Sequence, residues 1–411
     1  MSKAMVSFYS AIVKFIVSLG LCLSKPQLNH LVSMMHGIIL SEGRKTISQI
    51  RNHSGKDRDL SCMTRFLKES PWCANRVQRR RMNHLMSTIR RARIKRGDER
   101  HIIFLIIDDS GCHKNRSTKT MEALDFHFSH TEGKSVWSHC LVTAHVVAEG
   151  YSFAWDFRPY FRKSYCEESG HPFKSKNELA WEMVHAFPAA DDEQVYVLMD
   201  SWYTSKKLVD ACNSKGFHVI GAVKSNRKIC PAGIQIPMSE FGNRYIQNTD
   251  LHSVTVKDKG RFRVYSYEGS ISDIKNAKVL LSWDKKFNPD KTPFCILCTD
   301  TALDVVTILE YYHVRWEIET GYRYFKELLG FDQYQMLSFK AIERYWVIQY
   351  LTQNFLEVQR SEWSKGSPLS LGDTVRRIRS EMLGQLVVYV YQEGLANTPL
   401  KQVLRTLKLI A

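Results

Sequence analysis

Residues 101–111 read HIIFLIIDDSG, and this stretch decides the fold. Six consecutive apolar residues rich in Ile, closed by acids and a Ser-Gly pair, read as a buried β-strand. The strand delivers two carboxylates, Asp108 and Asp109. Residues 194–200, QVYVLMD, repeat the pattern and end in Asp200. Carboxylates at the carboxyl ends of adjacent parallel strands converge above the sheet, where ligands of α/β sheets lie. Acids are also common turn residues at strand ends, so neither Asp by itself defines a site.

Working outward, residues 137–160 supply two strand-like stretches around Gly150, which read as a hairpin. NELAWEMVHAFP (177–188) is a helix stopped before Pro188. SKKLVDACNSKG (205–216) is a helix with a glycine stop, and FHVIGAVKS (217–225) a further strand. Strands alternating with helices indicate a mixed α/β layer. From about residue 235 to 298 the helical pattern disappears and apolar-polar alternation takes over, the mark of a β-rich insertion. A long helix follows over roughly 303–329, with more helix through 358 and again after 361. The organisation read from this is a helical basic region (1–100), an α/β catalytic domain in two parts (101–234 and 299–360), the insertion between them (235–298), and a helical carboxy-terminal region (361–411).

Charge points to a polyanion. The chain carries +16, and residues 41–100 hold 17 Lys or Arg against six Asp or Glu, or +11 of that total. RVQRRRMNHLM (76–86) and STIRRARIKRGDER (87–100) place Arg and Lys at helical spacing, so Arg79, Arg80 and Arg81 are read as phosphate contacts. Residues 1–100 alone are expected to bind duplex DNA with a steep loss of affinity as salt rises. The apolar stretch 5–23 is interrupted by Lys14 and is followed by no small-residue cleavage site. It reads as a packed helix with Val6, Tyr9, Val13, Phe15 and Ile16 on one side, not as a membrane segment. The ten cysteines are scattered, as in a reducing compartment. Cys295 and Cys298 sit in the strand-like PFCILC, where alternation turns them to opposite faces, so they do not form a zinc pair.

The helix at 311–330, YYHVRWEIETGYRYFKELLG, is more specific. On a wheel with Tyr312 at zero, Arg315 falls at about 300°, Glu319 at about 340° and Lys326 at about 320°. Glu317 lies at about 140° and points away. Tyr311, Val314, Ile318, Tyr322, Phe325 and Leu329 form an adjacent apolar face. By spacing alone this is equally an ordinary helix with an Arg–Glu pair on a solvated face.

The set Tyr312, Arg315, Glu319 and Lys326 resembles the Y-R-E-K signature of bacterial insertion-sequence DDE transposases. IIDDSG resembles that family's first-aspartate strand, VYVLMDSWYTS (195–205) its second, and IGAVKSNR (220–227) the basic strand after it. LSKPQLNHLVSMMHGIILSEGRKTIS (23–48) is similar to the amino-terminal region of one branch. The matches reach from about residue 24 to 345. The resemblance implies an RNase H-like domain, with the insertion falling in the 118 residues between Asp200 and Glu319. It implies a catalytic triad of Asp108, Asp200 and Glu319 holding Mg²⁺, or Mn²⁺, as two ions. Asp108 is preferred over Asp109 because the family's strand reads Asp-x-Ser/Thr. Tyr312, Arg315 and Lys326 are then expected on backbone phosphates, with Lys224 and Arg227 as further DNA contacts. The implied partners are double-stranded DNA, both transposon terminal inverted repeats and target, and a second copy assembled on it, at the nucleoid of a bacterial or archaeal cytoplasm. The alternative is a binding-only regulator descended from such an enzyme. Trp283 is read as a core residue in preference to a base-stacking one. His113, His139 and His145 are read as structural, since the triad needs no imidazole.

Overall fold

The computed structural model describes residues 8–54, 59–96, 101–118, 120–129, 132–257, 259–364 and 366–407. Five helices lead in: α1 (Ser10–Ser18), α2 (Lys25–Leu40), α3 (Ile47–Asn52), α4 (Leu60–Lys68) and α5 (Ala74–Arg96). Helix α2 starts where Ser24 and Gln27 cap each other reciprocally and Pro26 fills the first turn, and Thr46 caps α3. In α1 the buried face is Ile12, Phe15 and Ile16, with Tyr9 before it; Val13 faces out, and Val6 lies outside the described residues. Among the described residues no helix is long and apolar enough to cross a membrane.

The sheet begins with β1 (His101–His113), β2 (Asp125–Ser129), β3 (Lys134–Ala148) and β4 (Tyr151–Tyr160). After α6 (Lys163–Ser169) and α7 (Lys176–Ala186) come β5 (Glu193–Met199), α8 (Lys206–Ser214) and β6 (His218–Val223). The β-rich stretch supplies β7 (Lys228–Ile229), β8 (Ile236–Pro237), α9 (Met238–Arg244), β9 (His252–Val256), β10 (Gly260–Ile271), β11 (Ile274–Asp284) and β12 (Phe294–Cys298). The chain ends in α10 (Val305–His313), α11 (Trp316–Tyr324), a π turn (Phe325–Leu329), α12 (Phe339–Trp363), α13 (Leu371–Leu395) and α14 (Leu400–Thr406).

All these strands join one sheet in the order β2-β3-β1-β5-β6-β12-β11-β10-β7-β8, with β4 on β3 and β9 on β10. Only β1–β5 and β5–β6 are parallel; the other pairs are antiparallel. The α/β class is as read from sequence. The β-rich stretch does not stand apart, because β12 pairs directly with β6 and carries the sheet onward. It also contains a helix that alternation hid: α9 seats Gly242 where a Cβ would come within 3.2 Å of Trp283.

Side-chain alternation sorts the two faces. Ile103, Leu105, Ile107, Val195, Val197 and Met199 face α5, α7 and α8. Ile106, Tyr196, Leu198 and Ile220 face α10 and α11. Cys295 and Cys298 fall into these two opposite clusters, which removes any zinc pair. Trp283 is a core residue whose Nε1 donates to Lys291 O at 2.9 Å.

Two expectations are corrected here. The amino-terminal helices form no free-standing module: α1 to α4 share a core with α12 and α13, while Leu85, Met86 and Ile89 of α5 enter the core of the sheet. Arg81 is no phosphate contact. It is fully buried and donates to Ala154 O at 2.9 Å, to Asn354 Oδ1 at 2.7 Å, to Gln78 Oε1 at 3.0 Å and to Trp155 O. An Arg on the inner side of a helix looks the same in sequence as one on the outer side until its packing partner is known. Arg79 and Arg80 remain exposed. Arg81→Met should therefore destabilise the protein by about 3 kcal/mol or more, because it strands several buried acceptors. Arg80→Ala should stay within about 0.5 kcal/mol. Urea unfolding of both variants checks this, and equal effects would contradict it.

Candidate active site

Strand β1 pairs in parallel with β5 up to Ile107 opposite Met199, so Asp108 and Asp200 follow at the same level on neighbouring strands. Asp108 is not at a strand end, as the sequence reading had it. β1 runs on to His113, held by β3 on its other side, and only the pairing with β5 stops there. Asp200 opens a tight loop: its Oδ1 accepts the amides of Trp202 at 2.9 Å and Tyr203 at 3.2 Å. Thr204 returns its Oγ1 to Asp200 O at 2.7 Å. Gly221 of β6 is required there, since a Cβ would stand 2.4 Å from Thr204 Oγ1.

Alternation separates the adjacent acids. Asp108 shares a face with Ile106, toward α10 and α11, whereas Asp109 faces the other way. Asp109 is bound there by Lys176 Nζ at 2.7 Å and by the buried Tyr203 hydroxyl at 2.9 Å. Tyr203 thus holds the residue beside Asp108 with its hydroxyl and the Asp200 carboxylate with its amide. No role for Tyr203 or Lys176 was visible in sequence, because their partner is set by the pairing of strands.

The helix over 303–329 is not continuous. α10 ends at His313, the amides of Val314, Arg315, Glu317 and Ile318 bond three residues back, and the last turn is π. The tightening keeps Tyr312, Arg315 and Glu319 on one side. Arg315 donates to Glu319 Oε1 at 2.6 Å and reaches Asp108 Oδ2 at 3.4 Å, and its guanidinium lies 6.0 Å from the Tyr312 ring centre. Close approach of α11 to β3 needs Gly321, where a Cβ would be 3.3 Å from the His145 ring. Glu317 points elsewhere and accepts from Ser152 Oγ at 2.9 Å.

The other candidates are placed differently. Lys326 acts on the buried Cys112 thiol, on the same face of β1 but four residues beyond Asp108. Lys224 is exposed. Arg227 turns inward to the Thr204 carbonyl and clamps the Asp200 loop, which removes it as a free DNA contact. His139 bridges Tyr334 Oη at 2.7 Å and Glu122 O at 2.8 Å, His145 contacts Ser152 Oγ at 2.8 Å, and His113 pairs with Glu132 at 3.0 Å. Burial pushes His139 down to about 4 and His145 to about 3, so both are neutral structural groups.

Electrostatically the site lacks positive charge. Burial, then the Asp109 charge, pushes the Asp108 carboxyl up to about 7, against the pull of the Asp109 amide and Arg315; Asp200 adds to the rise. Burial pulls Arg315 down, but Tyr312, Asp108 and Glu319 outweigh it and hold it above its ordinary value. Among the described residues no three His, Cys, Asp or Glu side chains form a ready-made metal cage. The donors nevertheless fit a hard divalent cation: they are carboxylate oxygens, and the half-buried Asp108 sits among like charges with one guanidinium shared between it and Glu319.

Acids where the parallel strands part, with a third on a covering helix, are an arrangement suited to metal-assisted phosphoryl transfer. Residues 19–244, more than half of the chain, match the family model described as DDE superfamily endonuclease. Residues 174–355 match a second, Transposase DDE domain. The chain belongs to the DDE superfamily of endonucleases and transposases, and its mixed α/β sheet is the RNase H-like fold expected of it. Among curated proteins, none matches it.

The raised Asp108 carboxyl has a stability signature. A carboxyl raised in the folded state contributes stability below its ordinary value of 3.8 and loses it as pH rises through about 7. Asp108→Asn escapes that loss. In chelator, its melting temperature relative to wild type should therefore rise between pH 4.5 and pH 8, by roughly 1 °C for each kcal/mol relieved. A pH-independent difference would show that Asp108 is not held in this environment.

Proposed function

We propose that this chain is a DNA transposase that cleaves transposon ends and joins them to target DNA, with Asp108, Asp200 and Glu319 as its catalytic acids. The observation that carries the reading is the level placement of Asp108 and Asp200 on adjacent parallel strands, with Glu319 brought over them through Arg315. In this reading the three carboxylates hold Mg²⁺, or Mn²⁺, as two ions. When bound, the metal supplies charge neutralisation at phosphorus and an acidified water or 3′-hydroxyl.

The protein's own groups divide the remaining work. Arg315 offers a planar fork suited to a phosphate once a cation relieves it of the acids. Tyr312 stands beside that fork, its ring centre 6.0 Å away, and the half-buried Lys326 adds a charge further along the chain for a backbone phosphate. Lys224 lies on the exposed turn after β6, and Arg79 and Arg80 lie on the outer side of α5, where they add backbone contacts of no sequence specificity. The working domains are 101–234 with 299–360 for catalysis, 235–298 as insertion, and 1–100 with 361–411 as the helical part. Two transposon ends call for two copies on DNA, at the nucleoid of the cytoplasm.

Asp108→Ala, Asp200→Ala and Glu319→Ala should each reduce Mg²⁺-dependent cleavage of transposon-end DNA by at least about 10³-fold, the scale of losing an essential electrostatic group. They should bind that DNA as tightly as wild type or slightly tighter. Glu317→Ala should retain substantial cleavage, and Arg315→Lys and Lys326→Ala should impair end complexes while folding normally. Cleavage surviving in all three acid variants would remove these acids from catalysis, and a wild type that binds this DNA without cleaving it would leave the binding-only regulator as the better reading. Arg79→Ala with Arg80→Ala should flatten the slope of log K against log salt by roughly 1–2. An unchanged slope would remove α5 from the DNA interface.

A further inference from the structure

The ladder between β1 and β5 ends at Ile107 and Met199. Among the described residues no backbone bond beyond that pair fixes how far Asp108 and Asp200 stand apart. Carboxylates of like charge at parting strand ends repel each other. On the catalytic face Arg315 ties Asp108 to Glu319 and leaves Asp200 out. The tie between the two strands lies on the other face.

Tyr203 is fully buried in the core behind the sheet. Its amide donates to Asp200 Oδ1 at 3.2 Å, and its hydroxyl, at the far end of the ring, donates to Asp109 Oδ1 at 2.9 Å. One rigid side chain thus spans the gap that the ladder leaves open. Both of its ends are held. Lys176 fixes the second oxygen of Asp109 at 2.7 Å, and Thr204 Oγ1 fixes the Asp200 carbonyl at 2.7 Å. The first turn of α7 crosses the same gap, since Asn177, next to Lys176, accepts from Ser205 Oγ at 3.2 Å. Among the described residues Asp109 is the one hydrogen-bond partner of the Tyr203 hydroxyl. That hydroxyl touches neither Asp108 nor Asp200, so its effect on them is one of position.

Position matters most to a small cation. Mg²⁺ demands near-ideal octahedral geometry at about 2.0–2.1 Å, whereas Ca²⁺ accepts roughly six to eight oxygens at about 2.3–2.6 Å in flexible arrangements. Releasing the spacing of two carboxylates therefore costs Mg²⁺ more than Ca²⁺. We propose that Tyr203 is a positioning residue: it fixes the separation of Asp108 and Asp200 and so raises the preference of the site for Mg²⁺ over larger divalent cations. The proposal rests on the reading of those two acids as cation ligands.

Isothermal titration calorimetry of the DNA-free, full-length protein with Mg²⁺ and, separately, with Ca²⁺ tests it. Tyr203→Phe should weaken Mg²⁺ binding roughly 10-fold, the lower end of the loss when a ligand's supporting partner is removed, and Ca²⁺ binding by less than about threefold. Asp109→Asn keeps an acceptor for the hydroxyl but removes the charge, so it should weaken both ions by one common factor. Asp109→Ala removes the acceptor as well and should lower the ratio of Mg²⁺ to Ca²⁺ affinity as Tyr203→Phe does. It decides the matter if Tyr203→Phe does not fold. A merely structural Tyr203 would lower the melting temperature and leave that ratio unchanged, which overturns the proposal. If Asp108→Asn and Asp200→Asn lose Mg²⁺ while Tyr203→Phe binds it as the wild type does, the proposal alone falls. If those two variants bind Mg²⁺ as the wild type does, the ligand reading falls and the proposal with it.

Discussion

Like charges brought together out of water govern the architecture of this molecule. Asp108, Asp109 and Asp200 lie within a few residues of the point where β1 and β5 part, and the side chain of the first is only 19% exposed. Concentrated negative charge of this kind is costly, and the fold meets the cost unevenly. Asp109 is compensated in full on one face of the sheet by Lys176 and the Tyr203 hydroxyl. Asp108 on the other face receives the Asp109 amide and part of one guanidinium, which it shares with Glu319. The asymmetry leaves one face structural and the other short of a cation.

The rest of the fold serves that arrangement. β3 grips the far end of β1, so the strand continues past Asp108 without β5. Arg227 and Gly221 hold the Asp200 loop from two sides. The shortened turn between α10 and α11 sets Arg315 over the acids, and Gly321 lets that helix settle on β3. On the other face, α5 is anchored to the sheet by Arg81 and to β5 by Arg90 and Arg93 on Glu193. A helix that reads as a basic DNA-binding element is thus also part of the core that keeps β1 and β5 in register.

Much of this was legible in the sequence, because local patterns carried it. The apolar runs before Asp108 and Asp200, the hairpin at Gly150 and the glycine stop after α8 are short-range signals. What was not legible depends on contacts distant in sequence. The inward turn of Arg81 requires Asn354 and the β4 carbonyls, and that of Arg227 requires Thr204. The break in the long helix was hidden because a tightened turn followed by a π turn leaves the overall period nearly unchanged. The segment 235–298 was read as an insertion from its alternation, but nothing local says that β12 pairs with β6 and makes it part of one sheet.

The central claim is that Asp108, Asp200 and Glu319 together make one cation site, which Arg315 only partly satisfies in the free protein. Mn²⁺ binding to the DNA-free protein, followed by electron paramagnetic resonance, addresses it most directly. Asp108→Asn, Asp200→Asn and Glu319→Gln should each lose the tightest bound ion, Arg315→Gln should bind it more tightly than wild type, and Glu317→Gln should match wild type. Mn²⁺ affinity that is the same in wild type and in the three acid variants would contradict the account.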